Sequence, residues 1–446
     1  MSVMRLEVRI GAHAVATLSS PDGFDHHLTY HPQAPPEGFV SLLMGVRPES
    51  WAWPALHPFF HMNLPEGYLL SLLKEQLGPL LGSRPLDLLA IVGANMIGRV
   101  SLHLPGASST AAGNPDLEVL LTAPRSLDLF HELMREYAAC GVSGVVPKFL
   151  SPQLQSSFRK ASIATARYIV KGSSAALPFL ALNEHLCMRA AARTGAEVAD
   201  TQVSEDGQVL LVRRFDVAED GRRLGFEDFC SLLGLTSDDK YNSNWDRVAA
   251  RVRELVPAPH LHSSNEQLAR TLLLTFALGN ADCHTKNLGL LYSSETDVHV
   301  APIYDMLSIR IYERYADNEP GMFVGGRKSW DPGKALGIYL RQQLGIEPAR
   351  QRELTEQVCD ALSDSLGDLH HHATHTPGFS DIAARMVHEW SDGCRRLAAR
   401  SGITVPNLTA AAAARGVPAK PTRTVARRRT GGSQLLGRRG RKPPPS

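Results

Sequence analysis

The stretch TLLLTFALGNADCHTKNLGLLYSSETDVHVAPIYDMLS, residues 271–308, reads as a helix, a loop and a hairpin in turn. Just upstream, Ser264 and Gln267 have the spacing of a capping box, which predicts a helix running through Leu268, Leu272 and Phe276. Gly279-Asn280 suit the left-handed turn that ends a helix, because glycine carries no Cβ to clash there. Asp282 therefore falls in a loop just beyond a buried helix. Leu288, Leu290 and Tyr292 then alternate, Ser293-Ser294-Glu295-Thr296 make a polar turn, and Val298 and Val300 alternate back. That is the pattern of a β-hairpin. Its two arms bring Asn287 and Asp305 to one end.

Asp282 and Asn287 have the D-x-x-x-x-N spacing of kinase catalytic loops, in which a base precedes a metal-binding amide. Asp282 can accept the proton of an attacking hydroxyl. Asn287 and Asp305 offer one amide and one carboxylate, which suits Mg²⁺, a cation that takes few protein oxygens and keeps its waters. The spacing by itself arises by chance about once in a chain of this length. The plain alternative is that Asp282 and Asn287 turn a loop while Asp305 caps the next segment, and the residues alone leave both readings standing. His284 and Lys286 can orient the loop or touch phosphate. Cys283 has no partner that marks it as a nucleophile.

Upstream, Lys171 ends the apolar run Tyr168-Ile169-Val170, the context of the strand lysine that meets nucleotide phosphates. Glu184, on a helix expected from Pro178 to Gly195, is its best acidic partner. The loop Gly141–Lys148, with Ser143 and Gly144 at its centre, can turn backbone N–H groups toward phosphates. No G-x-x-x-x-G-K-[ST] loop is present. Residues 6–18 read as a hairpin turning at Gly11-Ala12, and Asp206-Gly207 marks another between Val203 and Val209. A helix follows Pro65-Glu66-Gly67, a second starts at Ser126, and Gly106–Pro115 is a linker. After Asp216 the pattern becomes mostly helical to about residue 400. The expected fold is α+β and two-lobed, as in protein kinases.

Together these segments resemble the HipA family of serine/threonine kinase toxins of type II toxin–antitoxin systems. MNLPEGYLL and IVGANMIGRV are similar to its N-terminal domain, SGVVPKFL to its glycine-rich loop and YIVK to its lysine strand. LNEHLCMRAA, VRRFDV, GNADCHTKN and APIYDMLS are similar to later blocks, in the family's order. The resemblance implies a kinase fold with an additional N-terminal domain. It makes Asp282 the catalytic base, Asn287 and Asp305 the magnesium ligands, and Lys171 the lysine on the phosphates of ATP. It puts the adenine side at Arg213, Arg214 and Phe215. It further implies a protein substrate, notably an aminoacyl-tRNA synthetase, and a small helix-turn-helix antitoxin as partner. Some members carry a serine where this chain has Gly141, and others a serine at the position of Ser143. Autophosphorylation at the first position is therefore excluded, and only Ser143 offers the second.

The boundaries expected are an N-terminal domain over 1–104, a nucleotide-binding lobe over 116–218, a helical catalytic lobe over 219–405 and a basic tail over 406–446. Ten Lys/Arg and no acid lie from Arg415 to Ser446, so a net charge of +2 leaves −8 for residues 1–414. Such a tail buries too little to offset its ordering entropy and reads as disordered. Its cations can also hold a nucleic acid through phosphate contacts. The N-terminus lacks a signal-peptide run, and nowhere are eighteen apolar residues consecutive, which argues against a membrane span. Six scattered cysteines without a CxxC pair read as reduced thiols of a cytoplasmic protein. His370, His371, His372 and His375 read as a polar loop, not a metal site. Two other functions remain open: a small-molecule phosphotransferase of the aminoglycoside or choline kinase type, and a non-catalytic binding protein on a kinase fold.

Overall fold

The computed structural model describes residues 4–64, 70, 84–106, 117–140 and 161–417. The loop Gly141–Lys148, the helix expected after Pro65, the linker and the tail beyond residue 417 lie outside them, apart from residues 70 and 106. Alternating apolar positions close the first sheet from β1 (Met4–Ile10), β2 (His13–Ser20), β3 (His26–Tyr30), β4 (Trp51–Trp53) and β5 (Val100–His103). Its order is β4-β3-β2-β1-β5, antiparallel throughout. The turn between β1 and β2 falls at Gly11, whose φ of +58° favours glycine.

A second sheet is built from β6 (Ala161–Ala164), β7 (Tyr168–Gly172), β8 (Thr201–Val203) and β9 (Val209–Arg213), ordered β6-β7-β9-β8. Strand β9 is apolar at four successive positions because it is covered on both faces. Val209 and Leu211 join the core of the first sheet through Phe130 and Met134 of the helix Ser126–Cys140. Leu210 and Val212 join the core of the helical lobe. One strand thus belongs to two cores.

The helical lobe is organised on the helix Ala258–Leu278, buried from Ser264 except at Glu266. It begins six residues before the expected cap, behind Pro257, since a proline is tolerated where an N–H has no intrahelical partner. Ser264 is therefore not a cap. Its Oγ accepts a hydrogen bond from the Val300 N–H at 3.1 Å, tying helix to hairpin. Gly393, on the helix Ser380–Ser401, lets that helix approach closely: a Cβ there would lie 2.1 Å from the Ala277 carbonyl oxygen. The expected hairpin is present as β11 (Gly289–Ser294) and β12 (Asp297–Val300). A further strand, β10 (Gly225–Asp228), pairs with β11, although four residues were too few to mark a strand in a helical region. The histidine run lies on the helix Leu366–His375, docked by buried Leu366 and Leu369, and is not a loop. Among the described residues no helix is long and apolar enough to cross a membrane.

The architecture is α+β: a strand-rich lobe carrying an additional N-terminal sheet, beside a larger helical lobe.

Candidate active site

Lys171 lies near the end of β7, opposite Leu210 of β9. Its neighbour Val170 is fully buried, so strand alternation turns Lys171 toward the other lobe. Lys171 Nζ donates to Glu184 Oε1 at 2.6 Å and to Asp305 Oδ1 at 2.7 Å. Glu184 is buried on the helix Leu180–Arg193, which leans on the same sheet. One cation therefore joins a carboxylate from each lobe. Charge-assisted bonds of this kind are short and strong where water is scarce.

Asp305 has a φ of +56°, left-handed backbone that costs a residue with a Cβ about 1 kcal/mol or more. The segment behind it holds that geometry. Asn183 exchanges two hydrogen bonds with the Ser308 backbone, both at 3.0 Å, and Trp390 Nε1 donates to Ser308 Oγ at 2.8 Å. Asn287 Nδ2 donates to Asp305 Oδ2 at 3.0 Å and to the Asp282 carbonyl oxygen at 3.2 Å. The Asp282 N–H in turn donates to Asn280 Oδ1 at 3.1 Å, just after Gly279 has ended the long helix at φ +66°. Sequence and fold agree on why this loop starts where it does.

Lys171, Glu184, Asp282, Lys286, Asn287 and Asp305 open on one cleft of about 1160 Å³. Met96 and Ile97, preceding β5, contribute to its wall. Lys286 Nζ lies 3.4 Å from the Met62 carbonyl oxygen and from Ser237 Oγ. His284 Nδ1 accepts from the Lys286 N–H, so this histidine orients the loop. Burial pushes the Cys283 thiol up to about 12, which leaves it protonated and unsuited to nucleophilic attack.

Arg213 and Phe215 do not line the cleft. The extended chain at the end of β9 turns Arg213 outward, 3.8 Å from the exposed Asp200. Phe215 packs against Phe226 and Tyr304. Ser143 and Gly144 lie outside the described residues. Lys240, Tyr241 and Lys328 line the cleft beside Asp282 and were not singled out in the sequence. They come from connecting segments with no periodic pattern, and only the fold brings them there.

Asn287 and Asp305 fit a hard cation that keeps most of its shell from water or ligand oxygens. Among the described residues no group of three or more His, Cys, Asp or Glu is placed to hold a metal.

Comparison with known proteins gives the same outline. The HipA N-terminal domain family matches residues 6–103, and the HipA-like C-terminal domain family matches residues 140–366. "Putative kinase Y4dM" of Sinorhizobium fredii (strain NBRC 101917 / NGR234) is 26% identical over 334 residues, 70% of this chain and 78% of that protein. "Putative kinase Y4mE" of the same strain is 32% identical over 216 residues, covering 45% and 50% of the two chains. In fold, the chain is similar to HipA of the Shewanella oneidensis MR-1 toxin–antitoxin system, solved with HipB and operator DNA. The TM-score is 0.65 at 18% identity, over 89% of this chain and 98% of that one.

Proposed function

The chain belongs to the HipA-like family, and from that premise we propose that it is an ATP-dependent serine/threonine protein kinase acting as a growth-arresting toxin. The observation that carries the reading is Lys171 bonded to both Glu184 and Asp305, with Asn287 on the second oxygen of Asp305. In this reading Lys171 holds nucleotide phosphates and Glu184 keeps it aimed. Asp282 accepts the proton of the acceptor hydroxyl as that oxygen attacks the terminal phosphoryl group of ATP, whose bond to the bridging oxygen breaks to release ADP. Magnesium held by Asn287 and Asp305 supplies charge neutralisation on the phosphates when bound. Lys286 adds positive charge to the cleft. The Gly141–Lys148 loop, including Ser143 and Gly144, is assigned to cover the phosphates through its N–H groups; Arg213 and Phe215, which do not line the cleft, are given no part in holding the nucleotide.

The substrate assigned is a cytoplasmic protein of the aminoacyl-tRNA synthetase class, and the partner a helix-turn-helix antitoxin. The likeness to a HipA solved with HipB and operator DNA supports the second assignment. The ten cations from Arg415 to Ser446 make the tail a further contact for nucleic acid. The test is incubation with labelled ATP, magnesium and either a cell extract or a panel of aminoglycosides and choline. Label on serine or threonine of a protein supports the kinase. Label on a small alcohol replaces it with a small-molecule phosphotransferase. Magnesium-dependent ATP binding with label on neither acceptor, and no ADP released, leaves a binding protein on a kinase fold.

A further inference from the structure

Tyr241 is 41 residues before Asp282 in sequence, yet its hydroxyl donates a hydrogen bond to Asp282 Oδ1. The contact is prepared on three sides. The Lys240 carbonyl oxygen accepts from the Thr285 N–H at 3.3 Å and from Thr285 Oγ1 at 3.0 Å, so the backbone before Tyr241 is fastened to the Asp282–Asn287 loop. The carbonyl oxygen of Tyr241 itself accepts from Lys328 Nζ at 3.1 Å. The ring meets His284 edge-on, with centroids 4.8 Å apart and planes at 83°. Both backbone carbonyls and the ring are thus engaged before the hydroxyl reaches the carboxylate.

Burial does not explain that hydroxyl. Tyr241 is 36% exposed, so water reaches the side chain and its O–H has no need of a protein partner. A tyrosine required only for packing needs no oxygen at all. What the oxygen does, and a phenylalanine could not, is donate a hydrogen bond to one oxygen of the Asp282 carboxylate.

We propose that Tyr241 is a positioning residue for Asp282, holding its carboxylate in one rotation beside the acceptor hydroxyl; this rests on the kinase reading of the cleft. The proton still passes from the acceptor oxygen to Asp282. Tyr241 keeps its own proton and forms no bond to phosphorus. Preorganisation of this kind acts on turnover and not on nucleotide affinity, because Tyr241 approaches the base and not the Lys171 side of the cleft.

The test compares Tyr241→Phe with the unaltered chain, each alone and combined with Asp282→Asn, following ADP release from magnesium-ATP with water as acceptor. Expected is a loss of about tenfold in kcat with the KM for ATP changed less than about twofold. In the Asp282→Asn background the same substitution should cause no further loss, since the carboxylate it orients is already gone. Tyr241→Leu, which also removes the ring from His284, should lose at least as much. The inference falls if Tyr241→Phe keeps full kcat, if the KM for ATP rises in step with the loss, or if the two losses multiply. If the unaltered chain neither releases ADP nor labels a protein of the extract, the kinase reading and the inference fall together. Turnover that is equal with and without the phenol oxygen removes the inference alone.

Discussion

Two regions of this molecule bury charge, and they do so to different ends. In the cleft, Lys171 lies between Glu184 and Asp305, and the groups open on a cavity. At the joint between the first sheet and the rest of the chain, Arg214 grips Asp216 with two nitrogens and also donates to the Thr165 and Met96 carbonyl oxygens at 3.0 and 2.8 Å. The Gly98 N–H completes the set on Asp216 at 2.7 Å. Here every bond joins chain to chain. The joint closes on itself, whereas the cleft leaves an approach for something not part of the chain. Buried charge alone does not mark a functional site; an adjoining cavity does.

The largest effect expected is in the cleft. Asp282→Asn should lower phosphoryl transfer by about 10²- to 10⁴-fold, the usual worth of a positioned base. It should leave the melting temperature and magnesium-ATP affinity close to those of the unaltered chain. Asp305→Asn should instead weaken magnesium-ATP binding, because it removes a charged ligand that also pairs with Lys171. Near-normal transfer by Asp282→Asn would falsify its role as base. Affinity for magnesium-ATP can be read by titration calorimetry in both variants.

At the joint the effect should fall on stability. Asp216→Ala leaves the Arg214 guanidinium buried without its counter-charge, a change that costs about 3–5 kcal/mol in comparable settings. Urea unfolding should record it directly. A smaller loss of nucleotide affinity should accompany it, because the Arg214 contact anchors Met96, which lines the cleft. If Asp216→Ala unfolds at the same urea concentration as the parent, the contrast between the two regions is wrong.

How much of this was legible follows from the length over which each signal acts. The hairpin around Asn287 and the stop at Gly279 are local, and period-two alternation and a glycine cap reveal them. The start of the long helix at Ala258 was misread, because APHLHSS carries no apolar period before Leu268 takes over. Strand β10 exists through its pairing with β11, more than sixty residues later. Nothing close in sequence marks Arg214 and Asp216 as buried, since their partners, at Met96 and Gly98, lie 118 residues away. Tyr241 was missed for the same reason. Residues whose role depends on contact order, not on local period, are hidden from a single sequence.

The smallest predicted effect sharpens the comparison at a third buried charge, Glu227 on β10. Its carboxylate accepts from Ser41 Oγ at 2.6 Å, the Leu42 N–H at 2.7 Å and the Tyr292 hydroxyl at 3.0 Å. All three donors are neutral. Burial, partly offset by these bonds, pushes the Glu227 carboxyl up to about 7 from an ordinary 4.5. Because the folded value is the higher one, between about pH 4.5 and 7 the folded chain holds a proton that the unfolded chain has released. Stability from this group is therefore fully present below the unfolded value, falls as pH rises through that window, and levels off above it. The span is on the order of 3 kcal/mol if the whole shift is expressed. Glu227→Gln keeps an acceptor for Leu42 and gains a donor for Ser41, but cannot ionise. The variant should match the parent near pH 5 and exceed it at pH 8, measured as the difference between paired urea titrations so that other titrating groups cancel. A constant difference across that range would mean that Glu227 stays ionised when folded, and that this third site tolerates a full buried negative charge.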